Sequence, residues 1–151
     1  MRKLSYLKKL NQMKKAVIIY NSKKGATKRY AEQISVYLNS KKLTTQVLSI
    51  DNYSEEFIQD ADYLMLGCWT SGLMVFMQNP EKDWRQFASR LPETLKAKTA
   101  LFTTYKVLTG SMFKNMRKQL NGKADSCTTE IKSRNGFLSE KDKEAIDAFI
   151  G

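Results

Sequence analysis

Histidine is absent from this chain. That single gap removes Ser-His-Asp and Cys-His catalysis, histidine metal ligation and an imidazole general base, so any chemistry rests on a bound cofactor or on other side chains. Cysteine is scarce: Cys68 and Cys127 are the only two. With no secretory apolar segment beside them, they point to a reducing, cytoplasmic setting without a disulfide scaffold. No apolar run approaches membrane-spanning length. Neither G-x-x-x-x-G-K-[ST] nor G-x-G-x-x-G occurs, which sets aside two common phosphate motifs. Internal repeats, low-complexity tracts and Gly/Ser linkers are missing as well.

What is present is a single core and an excess of positive charge. A chain of 151 residues that is 42% hydrophobic suits one domain. Lys and Arg number 26 against 15 acids, a formal charge of +11. Such a balance favours anionic partners in general, although basic side chains at helical spacing are commonly just a solvated face. Residues 1–12 contribute Arg2, Lys3, Lys8 and Lys9 with no acid. Leu4, Leu7 and Leu10 there have the spacing of a short amphipathic helix, yet a frayed extension is the simpler expectation. The compact domain is expected over 13–151.

Periodicity then divides that domain. Val17-Ile18-Ile19-Tyr20 reads as a first strand, and Tyr30, Ala31, Ile34, Tyr37 and Leu38 mark one buried stripe of the helix that follows. A second strand is expected over 43–50, then a short acidic connector over 51–60. The run 63–68 is almost wholly apolar, as a central parallel strand covered on both faces should be. Asn79-Pro80 signals a helix start, with Trp84, Phe87 and Leu91 facing inward. A fourth strand is expected over 98–103, a helix carrying Met112, Phe113, Met116 and Leu120, and a polar fifth strand over 124–131. Ser139 and Asp142 form an approximate capping box ahead of Ile146, Phe149 and Ile150. Five strands alternating with helices imply a parallel sheet with right-handed crossovers, a doubly wound α/β domain.

The segment between the first strand and first helix is the most informative. Ser22-Lys23-Lys24-Gly25-Ala26-Thr27 enters a helix N-terminus, where unpaired N–H groups and the positive end of the macrodipole suit a phosphate. Ser22 and Thr27 add hydroxyls, Gly25 permits close backbone approach, and the two lysines add charge. The alternative is that Ser22 merely caps the helix and Gly25 relaxes a turn.

The spacing S-x-x-G-x-T after a first strand resembles the FMN phosphate loop of the flavodoxin-like family, whose commoner form is T/S-x-T-G-x-T. Here Lys24 replaces the middle threonine, exchanging a hydroxyl for an ammonium. The resemblance extends by order of elements over 14–150. It implies a five-stranded sheet of order 2-1-3-4-5 in a three-layer sandwich, with the ligand beyond the carboxyl ends of strands one and three. It also implies FMN as cofactor, held by Ser22, Lys23, Lys24, Gly25, Ala26 and Thr27 together with two further loops. After strand three come Trp69, Thr70, Ser71 and Gly72; after strand four come Thr104, Tyr105 and Lys106. Trp69 and Tyr105 have the flat faces an isoalloxazine ring needs, and Thr70, Ser71 and Gly72 suit its polar edge. The family's signature after strand four, with Gly, Asp and a stacking Tyr followed by Cys, is absent, and only Tyr105 carries over. Trp69 has a second reading as a lid on the core. Cys68 reads as a small core filler, and Met74, Met77, Met112 and Met116 serve packing as readily as a ligand surface.

An FMN protein of this kind works in electron transfer or as a flavin-dependent reductase or oxidase, with a quinone, a porphyrinogen or a redox protein as partner. Lys23, Lys24 and Lys106 near the ring should favour its anionic reduced form and raise its potential, and they suit an acidic partner. The competing reading is a flavin-free module of the same fold that binds nucleic acid or another polyanion. Tyr6, Tyr30 and Tyr105 form no recognisable RNA motif, so nucleic acid is the less expected partner. A phosphoreceiver domain is disfavoured, because Tyr20-Asn21 lacks the acidic pair that would hold magnesium. No segment dictates pairing of chains.

Overall fold

The computed structural model describes residues 13–70, 82–124 and 129–151. Five strands, β1 (Lys15–Asn21), β2 (Thr44–Ser49), β3 (Tyr63–Trp69), β4 (Lys98–Thr104) and β5 (Thr129–Ser133), pair in parallel in the order β2-β1-β3-β4-β5. Four helices are described: α1 (Ala26–Ser40), α2 (Lys82–Arg90), α3 (Met112–Leu120) and α4 (Glu140–Ile150). The doubly wound three-layer fold expected from the sequence is the one observed. Among the described residues no helix is long and apolar enough to cross a membrane.

Alternation along each strand divides the core into two layers. Val17, Ile19, Leu64, Leu66, Cys68 and Leu101 face α2 and α3, meeting Trp84, Phe87, Met112 and Met116. Ala16, Ile18, Met65, Ala100, Phe102 and Ile131 face α1 and α4, meeting Tyr30, Ile34, Leu38, Ile146 and Phe149. Each large side chain so buried contributes about 1.5–3 kcal/mol of transfer free energy, which is why the apolar runs of β1 and β3 settle at the sheet centre. Cys68 is fully buried in the first layer, the core filler expected. Gly67 is a packing requirement: a Cβ there would collide with the Phe102 ring.

Boundaries depart from the sequence reading where turn chemistry intervenes. Leu43 closes the turn after α1, its amide donating to the Leu38 carbonyl at 3.2 Å, and Ile50 opens a 3₁₀ turn instead of extending β2. The described part of β5 runs from Thr129 past the expected end at 131 to Ser133, with pairing to β4 and the inward positions of Ile131 and Ser133 setting its register, while 125–128 lie outside the described residues. Ala124 instead belongs to the turn after α3, where it is buried in the first layer. The expected helix start at Asn79-Pro80, residues 1–12, and Ser71, Gly72, Met74, Met77 and Cys127 lie outside the described residues.

Register places the loops that matter. Asn21 is level with Cys68, and Trp69 with Thr104, so the chain leaves β1, β3 and β4 at nearly the same height. The strand order reverses at the β1–β3 boundary, the point beyond which a doubly wound sheet binds its ligands.

Candidate functional site

The turn after β1 is built by Ser22, whose Oγ accepts from the Gly25 amide at 3.1 Å. Ser22 thus closes the turn and does not cap α1. The cap position is Gly25, held at φ +96°, a left-handed conformation natural to glycine. Its carbonyl accepts the first helical bond from the Arg29 amide at 2.9 Å. Ala26 opens the helix, so the leading amides of α1 have no intrahelical acceptor. The space a Gly25 side chain would enter is empty to 4 Å, leaving room for a ligand against the backbone. No acidic residue occupies the first turn.

Lys23 and Lys24 are exposed on this turn, and Lys106 reaches it from the loop after β4. The Lys24 ammonium, and Lys23 less strongly, holds the Lys106 amine below its usual value. None of the salt bridges among the described residues involves these three. Three cations from two loops therefore repel one another at a helix N-terminus, an arrangement that a dianionic phosphate would relieve.

Thr27 is buried, and its Oγ1 lies 2.6 Å from Thr104 Oγ1. That pair ties the opening of α1 to the end of β4. Two hydroxyls share one hydrogen between them, so one O–H remains to donate elsewhere. Thr70 extends β3, its amide donating to the Thr104 carbonyl at 2.8 Å and its hydroxyl paired with Thr103 Oγ1 at 2.9 Å. Trp69 is half-buried against the first core layer, with Lys23 Nζ 4.8 Å from its ring centroid. It both covers the core and presents a face to the lysine turn. Tyr105 is turned the other way: its amide donates to the Ser133 carbonyl at 3.2 Å, and Lys132 and Arg134 lie 5.9 and 5.8 Å from its ring. The two aromatic rings flank the end of β4 on opposite sides. Ser71 and Gly72 fall outside the described residues.

The sequence reading did not single out Thr103, Lys132, Arg134 or the 133–138 loop. That loop packs on the start of α1: Arg29 donates to the Asn135 carbonyl at 2.8 Å, and the Leu138 amide donates to Gln33 Oε1 at 2.7 Å. Gly136 sits at φ +84°, where a Cβ would meet the Ala26 carbonyl oxygen. The Asn-Gly pair at 135–136 was the one legible sign of so tight a turn. A separate cavity of about 300 Å³ lies around Ile58, Leu64, Pro92 and Leu95, at the opposite end of the sheet from these loops.

Strand order 2-1-3-4-5 with a glycine-capped helix start at the reversal point defines a doubly wound domain of the flavodoxin-like class. The sequence model of the flavodoxin family matches residues 18–144, and the chain belongs to that family. Members bind a flavin, typically FMN, and pass electrons to redox partner proteins. Solved structures agree on the fold. A flavodoxin from the domain Archaea aligns with TM-score 0.65 and 20% identity, covering 90% of this chain and 94% of that one. A short-chain flavodoxin associated with a non-canonical PDU bacterial microcompartment aligns with TM-score 0.70 and 15% identity, covering 91% and 94%. Two-electron reduced flavodoxin of Megasphaera elsdenii aligns with TM-score 0.67 and 17% identity, covering 89% and 97%. No curated protein matches the chain in sequence.

Proposed function

We propose that this chain binds FMN with its phosphate at residues 22–27 and Lys106, and acts as an electron carrier or FMN-dependent reductase whose site is positively charged. The observation that carries the reading is the convergence of Lys23, Lys24 and Lys106 on the open, glycine-capped start of α1. Ser22 shapes the turn, the amides at the start of α1 and the three ammonium groups receive the phosphate, and Trp69 and Thr70 stand where the ring would enter. The cofactor supplies the redox chemistry; the residues hold, orient and charge its surroundings. Family membership supports the flavin, and the donor set fits its anionic tail.

Titrating the purified apo-chain with FMN and with riboflavin tests this. Charge-assisted hydrogen bonds of about 1.5–3 kcal/mol each should give FMN an advantage of roughly 100-fold or more over riboflavin. Lys24→Ala with Lys106→Ala should narrow that ratio and leave riboflavin binding nearly unchanged. A colourless chain that retains neither compound, but binds oligonucleotides in a salt-dependent manner, would establish the polyanion-binding reading instead.

A further inference from the structure

Segments far apart in sequence meet at the carboxyl end of the sheet and form one surface. Arg29 holds the 133–138 loop through the Asn135 carbonyl, with its guanidinium 4.9 Å from the Phe137 ring. Ser133 of the same loop receives the Tyr105 amide, and Lys132 and Arg134 flank the Tyr105 ring. Lys106, the next residue, reaches Lys24 on the turn after β1. Across residues 20–29, 68–70, 104–111 and 132–138 there is no Asp or Glu. All four described salt bridges, among them Lys15–Asp60 and Lys41–Asp147, lie elsewhere.

The same surface holds exposed apolar side chains. Val107 is 62% exposed, Leu108 48% and Phe137 51%, three of the five large hydrophobic residues exposed among those described. Cations alone would suit any polyanion, but aliphatic side chains gain nothing from a phosphate backbone. Bases would need open aromatic faces, whereas on this surface the Tyr105 ring is flanked by Lys132 and Arg134. Apolar contacts ringed by one sign of charge are the make-up of a protein docking face that is steered electrostatically and bound transiently.

We propose that this surface docks an acidic protein, with Val107, Leu108 and Phe137 as its apolar contacts and Lys106, Lys132 and Arg134 as its charged rim. The purpose of the docking rests on the flavin reading, since the face adjoins the flavin loops; the association itself needs no flavin. Complementary charge identifies the occupant: a partner presenting carboxylates around a small apolar patch.

The test uses one haem protein in two charge forms, native basic cytochrome c and the same protein with its lysines succinylated. Quenching of tryptophan fluorescence by haem reads binding with or without FMN, so failure of the flavin reading leaves the result interpretable. The acidic form should bind at least ten times more tightly than the native one at low ionic strength, with the difference closing as salt is raised. Lys132→Glu with Arg134→Glu should abolish that preference, whereas Lys96→Glu with Lys118→Glu, the same charge change at exposed sites away from this face, should largely keep it. Val107→Ser with Leu108→Ser and Phe137→Ser should weaken the acidic complex severalfold at unchanged charge. Equal binding of both forms, equal effects of the two charge reversals, or indifference to the apolar substitutions would overturn the proposal. So would saturable binding of single-stranded oligonucleotide at 150 mM salt that displaces the acidic cytochrome and ignores the apolar substitutions.

Discussion

Tyr30 shows how one residue joins elements that the sequence holds far apart. Its ring packs edge-on to Phe102 at 5.8 Å, and its hydroxyl donates to Asp142 Oδ2 at 2.8 Å. Burial first, then the Asp142 carboxylate, pushes the phenol well above its ordinary value near 10. In the unfolded chain that phenol ionises near pH 10, while in the folded chain it stays protonated. The unfolded state therefore loses a proton that the folded state keeps, and stability fully present below pH 10 is lost as pH rises beyond it, by about 1.4 kcal/mol per pH unit. Tyr30→Phe should cost about 1–3 kcal/mol at pH 7 through the lost charge-assisted bond. Its deficit relative to the parent should shrink between pH 10 and 11, because the variant has no phenol to ionise. Urea midpoints at pH 7, 10 and 11 check both statements, and a constant deficit across that range would contradict the linkage. The apolar stripe of α1 made Tyr30 legible as buried. Its partner was not legible, since Asp142 read as part of a helix cap and nothing local brings the two together.

At the scale of elements, α1 and the 133–138 loop fit as a pair. Ser133 Oγ donates to the Phe137 carbonyl at 3.0 Å and accepts from the Gly136 amide at 2.9 Å, which curls the loop so that Gly136 lies on Ala26. Gly136→Ala places a methyl against a helix carbonyl at a strained backbone angle, a combination expected to cost about 2 kcal/mol or more. Because the displaced residue, Ala26, opens α1 directly after the turn that carries the lysines, FMN affinity should fall along with stability. Ser139→Ala removes the α4 cap, whose Oγ accepts from the Asp142 amide at 3.1 Å, and should cost about 1 kcal/mol with FMN affinity unchanged. Denaturant midpoints and FMN titrations on the two variants separate the effects; equal affinity losses would show that the loop does not position the site. The α4 cap was legible because Ser139 and Asp142 are three residues apart. The turn before α1 was legible as well, but of its two readings the cap at Ser22 gives way, because the chain makes its left-handed bend at Gly25 and Ser22 closes the turn ahead of it. β5 was legible as a strand, but its bounds depend on β4, to which it is paired.

Charge is a property of the whole molecule that becomes a local field only through folding. Composition gave the +11, and the order of elements placed Lys23, Lys24 and Lys106 at one end of the sheet, but neither showed Lys132 and Arg134 gathering at that end with Arg29. That gathering follows from parallel strands, which deliver every carboxyl-terminal loop to one edge. Its consequence for a bound flavin can be measured. The reduced cofactor carries more negative charge than the oxidised one, so each nearby ammonium stabilises reduction, by an amount of the order of tens of millivolts per charge at low ionic strength. Lys106→Gln should therefore lower the reduction potential of the holoprotein, and Lys24→Gln should do the same. Lys118→Gln, on the exposed side of α3 away from these loops, should leave it close to the parent. Equilibration with reference redox dyes at low and at high salt gives the comparison. Added salt should shrink the Lys106 and Lys24 effects, since exposed charges are screened beyond about 10 Å at 0.1 M ionic strength. A potential indifferent to both substitutions would mean that the lysines meet the phosphate alone and are too far from the ring to act on it, leaving affinity rather than redox poise as what the basic turn controls.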